Sequence, residues 1–174
     1  SQRIVINRGS VDGLKQGNPI ANDSGILGQV VRIYDRSAEV SLLEDRDFAV
    51  PVQVARNGLR AAVFGTGRGN PLELRYLPVA SDLEVGDVLI TSGIDGVYPP
   101  GFAVAVISRI ERNVDTNSSN VFCVPVAPVN RYRQALALLY DPQWDAKAST
   151  APNKPDAPLT NTPGRRQTRT RGMQ

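Results

Sequence analysis

The stretch from residue 83 to residue 101, L-E-V-G-D-V-L-I-T-S-G-I-D-G-V-Y-P-P-G, constrains the fold more than any other part of the chain. It reads as a tight turn, a covered strand and an irregular loop. Gly86 followed by Asp87 suits a hairpin turn, because glycine accepts positive φ and Asp bonds back to its own backbone. Val88-Leu89-Ile90-Thr91 is β-branched and apolar, as a covered strand requires. Beyond it Ser92, Gly93, Gly96 and Gly101 punctuate a loop too long for a plain hairpin connection. Pro99-Pro100 withdraw two backbone donors, so no ladder runs through the loop. Asp87 and Asp95 could carry acid–base chemistry at neutral pH, but neither has an obvious partner. The loop is therefore read as architecture or recognition, with Ile94, Val97, Tyr98, Pro99 and Phe102 as candidate contact residues and Tyr98 as an aromatic anchor.

The rest of the chain repeats the pattern of short apolar runs cut by turns. Strands are expected over 3–7, 26–34, 38–43, 48–54, 58–64, 72–77, 88–91, 102–112, 121–126 and 135–140, and a turn over 14–18 precedes Pro19-Ile20-Ala21. Gly13, Gly17, Gly25 and Gly28 mark the turns of the first half. Pro51 predicts an edge strand or a bulge. Gly65-Thr66-Gly67-Arg68-Gly69-Asn70 resembles a phosphate-cradling loop, but Pro71 and a strand follow it where a helix N-terminus is needed, so it reads as a hairpin. Residues 131–136 have helical propensity for one turn at most. Ile26 and Leu27 are a second candidate contact region.

Charge and residue usage exclude whole classes of chemistry. Histidine is absent from the 174 residues. A Ser-His-Asp triad, a Cys-His dyad or a typical catalytic zinc site therefore cannot be built from this chain alone. Cys123 sits in an apolar run and reads as a small buried hydrophobe. Residues 1–141 carry 14 basic and 15 acidic side chains, so the net charge of +3 comes from the tail. Residues 142–174, rich in Pro, Thr and Arg, are expected to be a disordered tail. The longest clean apolar run, 102–107, is far short of the ~18 residues of a membrane helix. The chain does not begin with Met and is expected to be an excised fragment.

Two halves share an order of features. Leu14-x-x-Gly17-Asn18-x-Ile20 matches Leu83-x-x-Gly86-Asp87-x-Leu89, Ser24-Gly25 matches Ser92-Gly93, Arg32-Ile33 matches Arg109-Ile110, and Val40 matches Val121. With roughly ten to twelve short strands and no convincing helix, this predicts an all-β chain of two small packed antiparallel barrels of about six strands each. The expected division is 1–66 and 67–141, with terminal strands open to exchange between the barrels.

Double barrels also occur in proteases, and Asp23-Ser24-Gly25 could be half of an aspartic dyad completed only by a symmetric dimer. A nucleic-acid-binding barrel using Arg165, Arg166, Arg169 and Arg171 is a further alternative, against which the near-neutral core argues. The series Val5-x-x-Arg8-Gly9-Ser10-x-Asp12-Gly13-Leu14, Gly25-Ile26-Leu27-Gly28-Gln29-Val30, 85–93 (V-G-D-V-L-I-T-S-G) and Tyr98-Pro99-Pro100-Gly101 resembles the extracytoplasmic core of the MreC family of bacterial rod-shape-determining proteins. Ala105 departs from the glycine that the family pattern has there. The resemblance covers about residues 3–140. It implies two β-barrels, normally preceded by a membrane helix and a coiled coil, and a non-enzymatic role without cofactor. It also implies a place on the periplasmic side of the inner membrane. The implied partners are the elongation-specific penicillin-binding transpeptidase, other membrane proteins of the rod complex and further copies of itself, with no nucleic acid.

Overall fold

In the computed structural model of the chain, which describes residues 2–127 and 134–143, the elements up to residue 137 are strands and one short 3₁₀ turn. The order is β1 (Arg3–Ile6), the 3₁₀ turn (Ser10–Asp12), β2 (Pro19–Ala21), β3 (Ile26–Ile33), β4 (Ala38–Leu42), β5 (Ala49–Val54) and β6 (Arg60–Phe64). It continues with β7 (Leu72–Pro78), β8 (Val88–Thr91), β9 (Ala103–Asn113), β10 (Ser118–Pro125) and β11 (Leu136–Ala137). Residues 131–133, part of the expected helical turn, and the tail from residue 144 lie outside the described residues.

The strands form a five-stranded antiparallel sheet, β1-β4-β3-β2-β11, and a closed barrel, β10-β7-β6-β5-β8-β9. One barrel is thus closed as expected. The first unit is an open sheet among the described residues, because β11 pairs with β2 over only two residues and nothing joins it to β1. Strand partnership also differs from a division after residue 66. The loop there links β6 to β7, which are hydrogen-bonded neighbours within the barrel, so the change of sheet falls between β4 and β5. Pro51 lies inside the barrel rather than on an edge strand. It is tolerated because β8 pairs only with Val52 to Val54, leaving the missing N–H beyond that ladder.

Inward positions alternate along the barrel strands and supply its core: Val50, Val52 and Val54 from β5, Val63, Leu72 and Leu74, Leu89, Ile107, Val121 and Cys123. Each such side chain contributes roughly 1.5–3 kcal/mol on burial. Ala105 is fully buried in this cluster, so its methyl fills the place of the expected glycine. Ala21, Ile26 and Leu43 from the first sheet join the same core. A Cβ on Gly25 would stand 2.2 Å from the Ala103 carbonyl oxygen, which is why the two units touch at a glycine. The first sheet has its own smaller core of Leu14, Ile20, Leu27, Val30, Ala38 and Val40, with Ala127.

The repeat has a physical counterpart. In the first unit the Lys15 N–H donates to Asn18 Oδ1 at 2.7 Å, Gly17 N–H to Val30 O at 2.8 Å, and Val30 N–H to Asn18 O at 2.9 Å. In the second, Glu84 N–H donates to Asp87 Oδ2 at 2.9 Å, Gly86 N–H to Ile107 O at 2.8 Å, and Ile107 N–H to Asp87 O at 2.9 Å. Gly17 and Gly86 adopt φ of 93° and 95°, the left-handed turn that glycine makes without steric cost. Both units also step past one residue in the next hairpin, Val31 in β3 and Ser108 in β9. The correspondence is therefore β1 with β7, β2 with β8, β3 with β9, β4 with β10 and β11 with β5. Val40 aligns with Cys123 rather than Val121, since Val30 faces Val40 as Ile107 faces Cys123.

Candidate docking surfaces

The loop after β8 is held by one threonine. Thr91 Oγ1 donates to Pro99 O at 2.6 Å and accepts from Phe102 N–H at 2.9 Å, while Thr91 N–H donates to Phe102 O. Asp95 Oδ1 accepts the N–H groups of Val97 and Tyr98, and Ser92 Oγ that of Ile94. These bonds turn Tyr98 inward. It is 2% exposed within the barrel core, so it is a packing residue and not an exposed anchor. Ile26 and Leu27 are likewise core residues, 0% and 5% exposed, because β3 is covered where the two units meet. Of the candidate contact residues, Ile94 is 63% exposed and Val97, Pro99 and Phe102 are half-buried. Val97 and Phe102 lean on the barrel core.

The Asp23-Ser24-Gly25 turn is organised by its neighbour: Asn22 Oδ1 accepts the N–H groups of Ser24 and Gly25. Asp87, placed in the sequence as a turn residue, has a second role. Arg56 donates to both of its oxygens at 2.8 and 2.9 Å and reaches Asp82 as well, holding both carboxyls below their usual range. Among the described residues no group of three or more His, Cys, Asp or Glu side chains is placed to hold a metal ion.

A surface that sequence reasoning missed lies across the outside of the barrel. Phe64 on β6 faces Glu73 on β7, Glu73 faces Phe122 on β10, and Phe122 faces Arg109 on β9, so all four share the outer face. Arg75 lies over the Phe64 ring at 4.9 Å and Arg109 over the Phe122 ring at 4.2 Å. Both arginines also reach a carboxylate at 3.0 Å, Arg75 to Glu73 and Arg109 to Glu111. Two residues along β10, Val124 faces Val106, which faces Val88 on β8. Val88 and Val124 are 38% and 48% exposed. The outer face thus carries Phe64 and Phe122 on either side of Glu73, each beneath a guanidinium, with the partly exposed Val124, Val106 and Val88 farther along. The run Val121-Phe122-Cys123-Val124 carried the available signal, since it is apolar at both alternate sets of positions.

The described residues thus form an all-β module, one closed six-stranded barrel beside a five-stranded sheet. This chain belongs to the MreC family: it matches the family description "Rod shape-determining protein MreC, barrel core" over residues 1–138. It is 38% identical over 138 residues to the cell shape-determining protein MreC of Escherichia coli (strain K12), covering 79% of this chain and 38% of that one. It is 38% identical over 141 residues to the Haemophilus influenzae protein of the same description, covering 79% and 39%. The chain thus spans about two fifths of the length of the curated relatives it matches. The crystal structure of MreC from Pseudomonas aeruginosa superimposes with a TM-score of 0.75 at 40% identity, covering 79% of this chain and 89% of that one. A solved complex between penicillin-binding protein (PBP2) and MreC from Helicobacter pylori contains a chain that shares the fold at 18% identity and a TM-score of 0.59, over 71% of this chain and 79% of that one. The family comprises shape-determining structural proteins, not enzymes. No described helix is long and apolar enough to cross a membrane.

Proposed function

We propose that this chain is the non-enzymatic docking core of a scaffold of the bacterial cell-elongation machinery, maintaining rod shape by binding and organising peptidoglycan-synthesis proteins. The observation that carries the reading is the match to the shape-determining barrel core over residues 1–138. In this reading the core works on the periplasmic side of the inner membrane as part of a longer, membrane-anchored and self-associating protein whose extracytoplasmic core comprises two barrels. Its principal partner is the elongation-specific penicillin-binding transpeptidase, and other membrane proteins of the rod complex assemble around it. The Helicobacter pylori complex, in which an MreC is joined to a penicillin-binding protein, supports that choice of partner.

The outer strip of the barrel is the docking face in this reading. Phe64 and Phe122 supply apolar area, and the partly exposed Arg75 and Arg109 lie over their rings. Aromatic and arginine side chains are enriched among the residues that dominate interface energetics. The test is the affinity of the chain for the extracytoplasmic domain of the host transpeptidase. Phe122→Ser combined with Phe64→Ser is expected to weaken binding by about tenfold or more while Tm changes little, since neither ring packs into the core. Absence of binding by the unaltered chain overturns the choice of partner.

A further inference from the structure

Asn57-Gly58 is the single Asn-Gly pair among the 174 residues, and the fold sets both residues, exposed, in the turn between β5 and β6. Asparagine is thermolabile, and its breakdown follows a fixed chemistry. The next backbone nitrogen attacks the side-chain carbonyl carbon: a bond from that nitrogen to Cγ forms, and the bond from Cγ to Nδ2 breaks. The side-chain nitrogen leaves as ammonia, taking the proton that the backbone nitrogen gives up. Water then opens the cyclic imide to aspartate or isoaspartate. Glycine in the next position favours the attack, because no side chain shields its nitrogen and its backbone turns freely.

The fold engages each group that this reaction uses. Gly58 N–H, whose proton must leave, donates to Val54 O at 2.8 Å. Asn57 Nδ2, the leaving nitrogen, donates to Asp82 O at 2.8 Å and to Asp82 Oδ2 at 3.0 Å. Asn57 Oδ1 accepts from Leu59 N–H at 3.0 Å. The Asp82 carboxylate is itself held by Arg56, from Nη1 at 3.1 Å and from Nη2 at 3.2 Å. The imide forms only when Gly58 gives up its N–H proton and Nδ2 departs, so the bonds to Val54 and Asp82 must open first.

We propose that Asn57 is a deamidation site held closed by Asp82: opening of the β5–β6 turn exposes it to conversion, and the product keeps the turn from closing again as before. A carboxylate at position 57 has no hydrogen to donate. It faces the Asp82 carbonyl oxygen and carboxylate that the amide had bonded, which sets like charges at hydrogen-bond distance. Isoaspartate also lengthens the backbone by one carbon between Val54 and Leu59, which bond to each other across the turn. Conversion is therefore a one-way loosening of the contact that Arg56, Asn57 and Asp82 make. This site does not depend on the transpeptidase reading.

The test is peptide mass spectrometry, with isoaspartate and aspartate separated, on the full chain held at about pH 8 and about 37 °C, native and in urea. Asn57 is expected to convert about tenfold or more slowly in the native chain than in urea, because conversion waits on opening of the turn. Asp82→Ala, which removes the carboxylate, is expected to speed native conversion at Asn57 by about fivefold and to leave conversion at Asn117, in the β9–β10 turn, unchanged. Asn57→Asp, which carries the product side chain, is expected to lower Tm by about 3 °C and to melt below Asn57→Ala, which loses the bonds without gaining the charge. The comparison of native chain with urea needs no variant, so it stays decisive if Asp82→Ala does not fold. Equal rates at Asn57 in the native chain and in urea overturn the proposal. So do an Asn57 rate indifferent to Asp82→Ala, an equal acceleration at Asn117, and an Asn57→Asp chain as stable as Asn57→Ala.

Discussion

Arg56 grips Asp87 at both oxygens, Nε to Oδ1 at 2.8 Å and Nη2 to Oδ2 at 2.9 Å, and so ties the β5–β6 turn to the turn that opens β8. The same guanidinium bonds Asp82, and Asn57 Nδ2 adds bonds to the Asp82 carbonyl and carboxylate. Charge-assisted, two-point contacts of this kind are the stronger sort. Asp87→Asn is expected to lower Tm by roughly 3–6 °C in a thermal melt followed by circular dichroism.

The pH dependence of that clamp has a definite sign. Bonds from Arg56 lower the pKa of both Asp87 and Asp82, so their contribution to stability is complete above the ordinary carboxylate range and lost as pH falls through the folded-state values. Urea unfolding at neutral pH and below pH ~3 is expected to show the difference between the chain and its Arg56→Met variant shrinking toward zero in acid. A gap that persists in acid would show that Arg56 stabilises by packing.

Gly28 is required by space. A Cβ there would stand 2.0 Å from the Ser41 carbonyl oxygen, on the neighbouring strand β4. Backbone cannot yield as a flexible side chain does, so Gly28→Ala is expected to cost about 2–3 kcal/mol in urea unfolding. Gly69→Ala is the matched control: nothing lies within 4 Å of its added methyl, and only its φ of 77° resists. That substitution is expected to cost about 1 kcal/mol.

What the sequence made legible was local. Gly17-Asn18 and Gly86-Asp87 reveal their turns because the side chain that caps each turn is adjacent to the glycine that permits it. The strand over 88–91 is delimited by that turn on one side and by a glycine- and proline-rich loop on the other. What was not legible was partnership between distant strands. The direction in which Tyr98 points depends on Thr91 bonding to Pro99 and Phe102, which no spacing rule contains. The outer strip depends on Phe64 and Phe122 flanking Glu73, a register set by three separate strands. The unequal closure of the two units was hidden as well, because β11 and β5 correspond in position but differ in length.

Among the described residues Tyr98 is the largest fully buried side chain, and its hydroxyl has no hydrogen-bond partner there. Burial, with the nearby Asp95 charge, pushes its pKa above the usual phenol value. Removing an unpaired buried hydroxyl removes a desolvation penalty, so Tyr98→Phe is expected to leave stability unchanged or slightly higher. Tyr98→Ala empties the middle of the barrel and is expected to cost about 3–5 kcal/mol in urea unfolding. Any loss of partner binding by Tyr98→Ala should then track loss of fold and disappear in Tyr98→Phe.

Cys123 reports on barrel opening. It is fully buried on β10, and burial pushes its thiol pKa up to about 12. Reaction with a disulfide reagent needs both access and thiolate, and the folded barrel supplies neither. At pH 8 the native chain is expected to resist Ellman's reagent for hours and to react with one equivalent in urea. In the native state labelling should proceed through opening of the barrel, so Tyr98→Ala, a barrel-core substitution that lowers the free energy of opening, should speed it in proportion to the stability it loses. Fast labelling of the unaltered chain, at a rate insensitive to that substitution, would mean that β10 separates from β7 or β9 without the rest of the barrel unfolding.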